Sequence, residues 1–500
     1  MTDDIKKEFY ENFNIDSLRG GYDYDEPLVW GYAVGIIIHK LKDHLFKNKI
    51  IVSQFHEWLS APALLYLKKN NLDIATVFTT HATVLGRTLA NNHVDLYHYL
   101  DDEKRALDSV NPDQEAYKFN VESKHFVEKA ASIQADIFTT VSEITGFEAE
   151  KILGRKPDHL LLNGLDSSKF PTFEDSSLKH NSNRRSIREF LLYYFFPYYS
   201  FDIKNTLFFF LAGRYEFRDK GIDIFIHALD KLNVVLKKKR SKKTVVAFIF
   251  VPAHIRSIKR SLLSNKTLFN DIDKSLYSIR HSVVDNVLYN LISGNEISSK
   301  AIFPADFIFD TKRRILKFKQ KGSPVLSTHD LYDENDIITN TLLSVGLDNL
   351  EDDRVKVVFY PIYLTGADGL LNLDYYQCMS GCHLGVFPSF YEPWGYTPLE
   401  AAALGTSSVT TDLAGFGRFV KSHTHNKDLP GIFVLNRMGK DDNAIIDDLS
   451  NFMLKFISFS KHDRVQNKIE AKRLSSLADW KLFINYYLDA HNSAVSKRFK

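Results

Sequence analysis

Residues 384–404 read LGVFPSFYEPWGYTPLEAAAL. A short apolar strand, LGVFPS at 384–389, runs through a turn into the helix-forming stretch LEAAAL. Glu392 and Glu400 stand eight residues apart across that turn, with Gly395 and Thr397 between them. These two let backbone N–H groups point outward at the start of the helix. Such an end carries unsatisfied donors and a positive partial charge, and it suits a diphosphate. One carboxylate at the turn and one further into the helix can hold sugar hydroxyls on either side of that phosphate. The spacing predicts a nucleotide-sugar site at the carboxyl end of a strand.

The same strand–helix alternation extends in both directions. A series starting at TLFFFLAG (206–213) has further strands at 245–251, 355–360, 384–388 and 407–410. An earlier series has strands at 49–55, 74–79, 136–141 and 159–164, with helical stretches between them. Alternating elements predict an α/β fold of doubly wound parallel sheets, with ligands at the carboxyl ends of the strands. His56, His81 and Asn163 each follow a strand of the first series, so they are expected to face one cleft. Arg214 and Lys220, in AGRYEFRDKG after the first strand of the second series, can reach one diphosphate together. No Asp-x-Asp-like cluster stands beside them, in keeping with a leaving group stabilised by cations and a helix end rather than a metal.

Three stretches depart from the alternation. Ile272, Leu276, Ile279, Val283, Val287 and Leu291 recur every three or four residues, predicting one long amphipathic helix, with a shorter helical stretch after Ile302. The polar, basic stretch 174–186 reads as the interdomain connection. Towards the C-terminus, Lys461, Arg464, Lys468 and Lys472 give a helix one basic face, a solvated surface or a phosphate-binding one.

Composition sets the frame. The chain has 500 residues, 44% hydrophobic, enough for two buried cores. The net charge of +2 argues neither for nor against nucleic acid, and no nucleic-acid partner is expected. Cys378 and Cys382 lack a second zinc-type pair and read as buried small hydrophobes. The apolar runs 28–38 and 190–201 are shorter than the roughly 20 residues that cross a bilayer. With a polar, charged opening MTDDIKKEF, a cytoplasmic protein without membrane contact is expected.

Several blocks carry a specific resemblance. FHEWLS (55–60), FTTHATVLGR (78–87), AGRYEFRDKG (212–221), GCHLGVFPSFYEPWGYTPLEAAALG (381–405) and LAGFG (413–417) resemble eukaryotic-type glycogen synthase, glycosyltransferase family 3. The similarity runs from about residue 26 to 487 and includes RVKVVFYP and RLSSLADWK. It implies a GT-B fold, two Rossmann-like domains facing a cleft. An acceptor-side domain would occupy 1–180, and a nucleotide-sugar domain 205–460 with a helical insertion at about 255–330. Helices at 461–500 would cross back to the first domain. The implied reaction moves glucose from UDP-glucose to the non-reducing 4-OH of an α-1,4-glucan, with retention and without a cofactor.

Residue by residue, the resemblance assigns Arg214 and Lys220 to the leaving diphosphate, Glu392 to the glucose ring and Glu400 to the ribose. Tyr396 would stack on uracil, Gly395, Thr397 and Asn163 would line the donor site, and His56 would face the sugar from the opposite wall. It also implies a regulatory glucose-6-phosphate site at His180, Arg184, His383, Arg464 and Lys468, although Lys461, His462 and Glu470 stand where the family's basic helix carries arginines. A homotetramer, a glucan primer and glycogenin are the partners it suggests. The family opens with a strand and a V-G-G-I-type glycine loop, and nothing before Glu26 reads that way. The expectation is a first domain lacking its opening βαβ portion. The alternative function is then a catalytically impaired homologue that oligomerises or binds glucan.

Overall fold

Seven-residue runs such as TLFFFLA and TVVAFIF are apolar on both faces, as strands buried between helix layers must be. In the computed structural model, which describes residues 1–99 and 111–500, they lie in the middle of the larger of two parallel sheets. The first sheet holds β1 (Val52–His56), β2 (Ala75–Thr80), β3 (Ile137–Thr140) and β4 (His159–Leu160), side by side in chain order. The chain then builds β5 (Thr206–Ala212), β6 (Thr244–Phe250), a ribbon of β7 (Ile255–Ile258) with β8 (His329–Leu331), and β9 (Val355–Phe359). β10 (Leu384–Val386), β11 (Ser407–Thr411) and β12 (Ile432–Leu435) follow. The second sheet runs β12-β11-β10-β5-β6-β9. Growth proceeds from β5 towards β9, then restarts on the other side of β5 with β10. That reversal is the switch point of a doubly wound sheet, where a crevice opens beyond the strand ends.

Side chains of β5 alternate between two cores. Leu207, Phe209 and Leu211 pack towards the helices Ile222–Lys238 and Asp442–Ser458, whereas Phe208, Phe210 and Ala212 pack with Phe190, Phe248 and Tyr360. The first sheet is covered on one side by the chain's last helix, Trp480–Arg498. Its Ala490 and Ala494 are buried against Ala75, Val77, Ile137 and Leu161, and His491 Nε2 meets Gln54 Oε1 at 2.8 Å.

Two stretches differ from their sequence-based expectation. Residues 174–186 form no loose connection; they are the first half of the helix Phe173–Tyr194. Thr172 caps it, and Ser176, His180, Ile187 and Leu191 line a buried stripe at helical spacing that the polar composition conceals. The long arm is two helices, Arg260–Ser278 and Arg280–Ile292, parted at Ile279. Ser275 and Ser278 each turn a hydroxyl onto a carbonyl one turn back, a bond that bends helices, at 2.7 and 2.8 Å. Two further helices, Ser299–Ile302 and Ala305–Phe318, return the arm to its β7–β8 base. Among the described residues no helix is long and apolar enough to cross a membrane.

Candidate active site

The loop after β5 supplies Arg214 and Lys220, and the loop after β10 supplies Glu392, so all three stand at the switch point. Backbone bonds stitch the loops together: Phe390 N–H donates to Asp219 O at 2.8 Å and Tyr391 N–H to the same oxygen at 3.3 Å. Gly221 makes this approach possible. Its φ is +66°, and a Cβ there would lie 2.1 Å from Pro388 O.

Lys220 Nζ sits 2.6 Å from Glu392 Oε2, and both side chains are largely shielded. Arg214 is 65% exposed and pairs with Glu216 at 3.0 Å, leaving most of its guanidinium open to the cleft. The helix Tyr396–Ala403 begins at Gly395, whose φ of +109° turns the chain sharply, and no side chain caps its first turn. Its first-turn N–H donors are left without a side-chain partner. Thr397 lies in the narrow space beside Lys220 and Glu392. Glu400 accepts hydrogen bonds from Tyr375 (3.2 Å) and Tyr376 (2.9 Å), and burial raises its carboxyl above the usual range. These tyrosines, in the sequence LDYY, were not identifiable as partners from spacing alone. Tyr396 is 42% exposed at the mouth.

The opposite wall comes from the first sheet. His56 ends β1 and His81 follows β2, with Nδ1 of the former 3.0 Å from Nε2 of the latter. Burial lowers both imidazoles, His81 to about 4 with His56 and Arg87 contributing, so the pair is neutral near pH 7. His81 and Asn163 line the cleft cavity with Lys220 and Glu392, whereas His56 is an exposed neighbour of His81 outside that lining. The cavity measures about 160 Å³, below the roughly 300–1,000 Å³ of most ligand pockets.

The turn after β2 would itself suit an anion, but buried carboxylates fill it. Glu57 accepts from His81 N–H (2.7 Å) and Ala82 N–H (3.3 Å), Glu148 from Thr83 N–H (3.0 Å), and Glu128 from Val84 N–H (2.9 Å). Glu57 does so from a left-handed backbone, φ +62°. Burial raises all three carboxyls, Glu148 to about 7. The N–H groups of that turn are thus already taken. Sequence reasoning weighs Glu57 as a core or a site residue but misses Glu128 and Glu148, which sit far along the chain on helices whose facing is set only by packing.

The remaining candidates meet elsewhere. His180, Arg184, His383, Arg464 and Lys468 line a cavity of about 720 Å³ together with Arg188, Lys204, Lys243 and Lys461, and no carboxylate is among the described lining residues. His180 Nε2 donates to Leu404 O (2.9 Å) and its Nδ1 accepts from Lys468 Nζ (2.7 Å). Burial, reinforced by Lys468, holds His180 down at about 3. Burial and the neighbouring Arg184 and Arg464 bring Lys468 down to about 7; burial and Arg188 bring Arg184 to about 10. His383 Nδ1 accepts from Phe208 N–H at 2.9 Å and burial keeps the ring neutral. The basic helix is therefore not merely a solvated surface: Lys472 donates to Ala403 O at 2.9 Å, and Lys468 is turned inward.

A sequence model of the family described as glycogen synthase matches residues 1–500. Glycogen [starch] synthase isoform 2 of Saccharomyces cerevisiae is 36% identical over 512 residues, covering 100% of this chain and 72% of the yeast protein. Liver glycogen [starch] synthase of Homo sapiens is 35% identical, covering 98% of this chain and 71% of the human one. Among solved structures, an α,α-trehalose-phosphate synthase (UDP-forming) from Burkholderia vietnamiensis superposes with a TM-score of 0.50 at 8% identity, covering 95% of this chain and 78% of its own. That likeness concerns the fold alone, which is GT-B. By sequence, the chain belongs to the glycogen synthase family.

Proposed function

We propose that this protein is a retaining glucosyltransferase that moves glucose from UDP-glucose to the non-reducing 4-OH of an α-1,4-glucan. The observation that carries this reading is the meeting of Lys220, Glu392 and an uncapped helix start at the switch point, facing a neutral His81. As the bond from glucose C1 to the β-phosphate breaks, negative charge grows on the departing UDP. Lys220, Arg214 and the N–H groups behind Gly395 are suited to stabilise it. The acceptor hydroxyl attacks from the same face and gives its proton to the departing phosphate. Glu392 positions the sugar and need not bond to it. Glu400, held by two tyrosine hydroxyls, takes the ribose, and the exposed Tyr396 takes the uracil.

The basic cavity supports a regulatory role on the same chain. No carboxylate is among its described lining residues, which favours a phosphorylated ligand such as glucose-6-phosphate. The arm's helix Arg280–Ile292 exposes Val284, Leu288, Leu291 and Ile292 on one face, which supports assembly with further copies. Glycogenin as the supplier of primer and a cytoplasmic location complete the proposal, the latter supported by two buried free thiols. Incubation with radiolabelled UDP-glucose and glycogen tests the function. Label that α-amylase releases as malto-oligosaccharides supports it, and label found only in small non-glucan acceptors would overturn it.

A further inference from the structure

Tyr391 directly precedes Glu392, and its buried hydroxyl donates across the domain boundary to Glu148 Oε1 at 3.0 Å. The same oxygen accepts Thr83 N–H at 3.0 Å and Thr83 Oγ1–H at 2.6 Å. Thr83 caps the helix Val84–Asn91, accepting Gly86 N–H at 2.9 Å, and that helix carries Arg87 into the cleft just after His81. Glu148 packs so tightly on this first turn that a Cβ on Gly86 would lie 2.2 Å from Oε1. A second bond ties the same two elements: Ser142, which caps Glu148's helix, donates its Oγ–H to Pro393 O at 2.7 Å. One carboxylate oxygen thus joins the wall bearing His81 and Arg87 to the residue beside Glu392.

We propose that Glu148 is a positioning residue for glucosyl transfer, acting through Tyr391 to fix the spacing between Glu392 and the opposite wall. It touches neither substrate nor leaving group. The inference rests on the reading of the Glu392 turn as the transfer site. Burial keeps the Tyr391 hydroxyl protonated and donating. Removing that hydroxyl leaves Oε1 its two Thr83 donors, so no buried acceptor is orphaned and the fold is expected to stand.

The test compares wild type, Tyr391→Phe, Glu148→Gln and the double variant in the UDP-glucose transfer assay, with amide hydrogen exchange of residues 391–395 followed in parallel. Tyr391→Phe is expected to lower kcat about tenfold, with KM for UDP-glucose within about twofold and exchange of the turn accelerated. Glu148→Gln keeps an oxygen acceptor in place and is expected to lose less than Tyr391→Phe. In the Tyr391→Phe background it should cost nothing further, because the path runs through the hydroxyl. Equal losses from Glu148→Gln in both backgrounds, or unchanged kcat and exchange in Tyr391→Phe, would overturn the proposal. If wild type transfers no glucose, the transfer reading fails, while the exchange rates still decide whether the tie holds the turn.

Discussion

Lys220 Nζ and Glu392 Oε2 lie 2.6 Å apart across the switch point of the second sheet, so the cation proposed for a diphosphate is held by the carboxylate proposed for a sugar. Donor binding has to part them, with Glu392 turning to the hexose as Lys220 turns to phosphate. UDP alone has no sugar with which to occupy Glu392, and it competes with the carboxylate for Lys220. Glu392→Gln is therefore expected to bind UDP several-fold more tightly while transfer from UDP-glucose falls by two or more orders of magnitude. Calorimetric titration with UDP and steady-state kinetics on one preparation measure both. Weaker UDP binding by the variant would argue that the pair is not in competition with the donor.

Gly221 sets how closely the two site loops approach. Gly221→Ala forces a side chain into a left-handed backbone and onto Pro388 O, 2.1 Å from the new Cβ. A loss of at least ~2 kcal/mol is expected, seen as a lowered midpoint in urea unfolding. An unchanged midpoint would mean that the loops relax apart at little cost.

The two domains differ in how plainly they could be read. β5 and β6 are continuous apolar runs, and the turn at Gly395 announces itself through a glycine beside a helix start, so these strands and that turn were legible in the second series. β12, four residues reading IFVL, gave too short a run to identify. The helix Phe173–Tyr194 was hidden because its exposed face is polar and its buried stripe includes Ser176 and His180 rather than aliphatics. The carboxylate-filled turn after β2 was invisible, since Glu57, Glu128 and Glu148 meet only through tertiary packing. The five anion-site candidates do line one cavity, but the pairing of Lys468 with His180 depends on an approach between two distant helices that no spacing encodes.

Anion binding at that cavity is expected to depend on pH through Lys468. Its ammonium is lowered to about 7 by burial and by Arg184 and Arg464, so it is mostly neutral at pH 8.5 and becomes charged as pH falls through 7. His180, held near 3, does not titrate in that range. Affinity for glucose-6-phosphate is expected to rise several-fold from pH 8.5 to 6.5, with proton uptake on binding. Titration calorimetry in buffers of different ionisation enthalpy measures both. In Lys468→Met the pH dependence should flatten, and a slope equal to wild type would assign it to another group.

The helical arm exposes Leu288 and Ile292 at 55% and 78% on one face. Leu288→Asp combined with Ile292→Asp is expected to lower the assembled mass measured by light scattering while leaving the secondary-structure signal intact. An unchanged mass would mean that copies do not meet through this face.

Lys220, beside Glu392, is expected to stabilise a departing UDP as glucose passes to glucan. The direct measurement is the initial rate of radiolabelled glucose incorporation into glycogen from saturating UDP-glucose, wild type against Lys220→Ala, both verified as folded by thermal unfolding. Steady incorporation by wild type and a loss of about 10²–10³-fold in kcat for the variant are expected. Equal rates for the two proteins, or no incorporation by folded wild type, would contradict it.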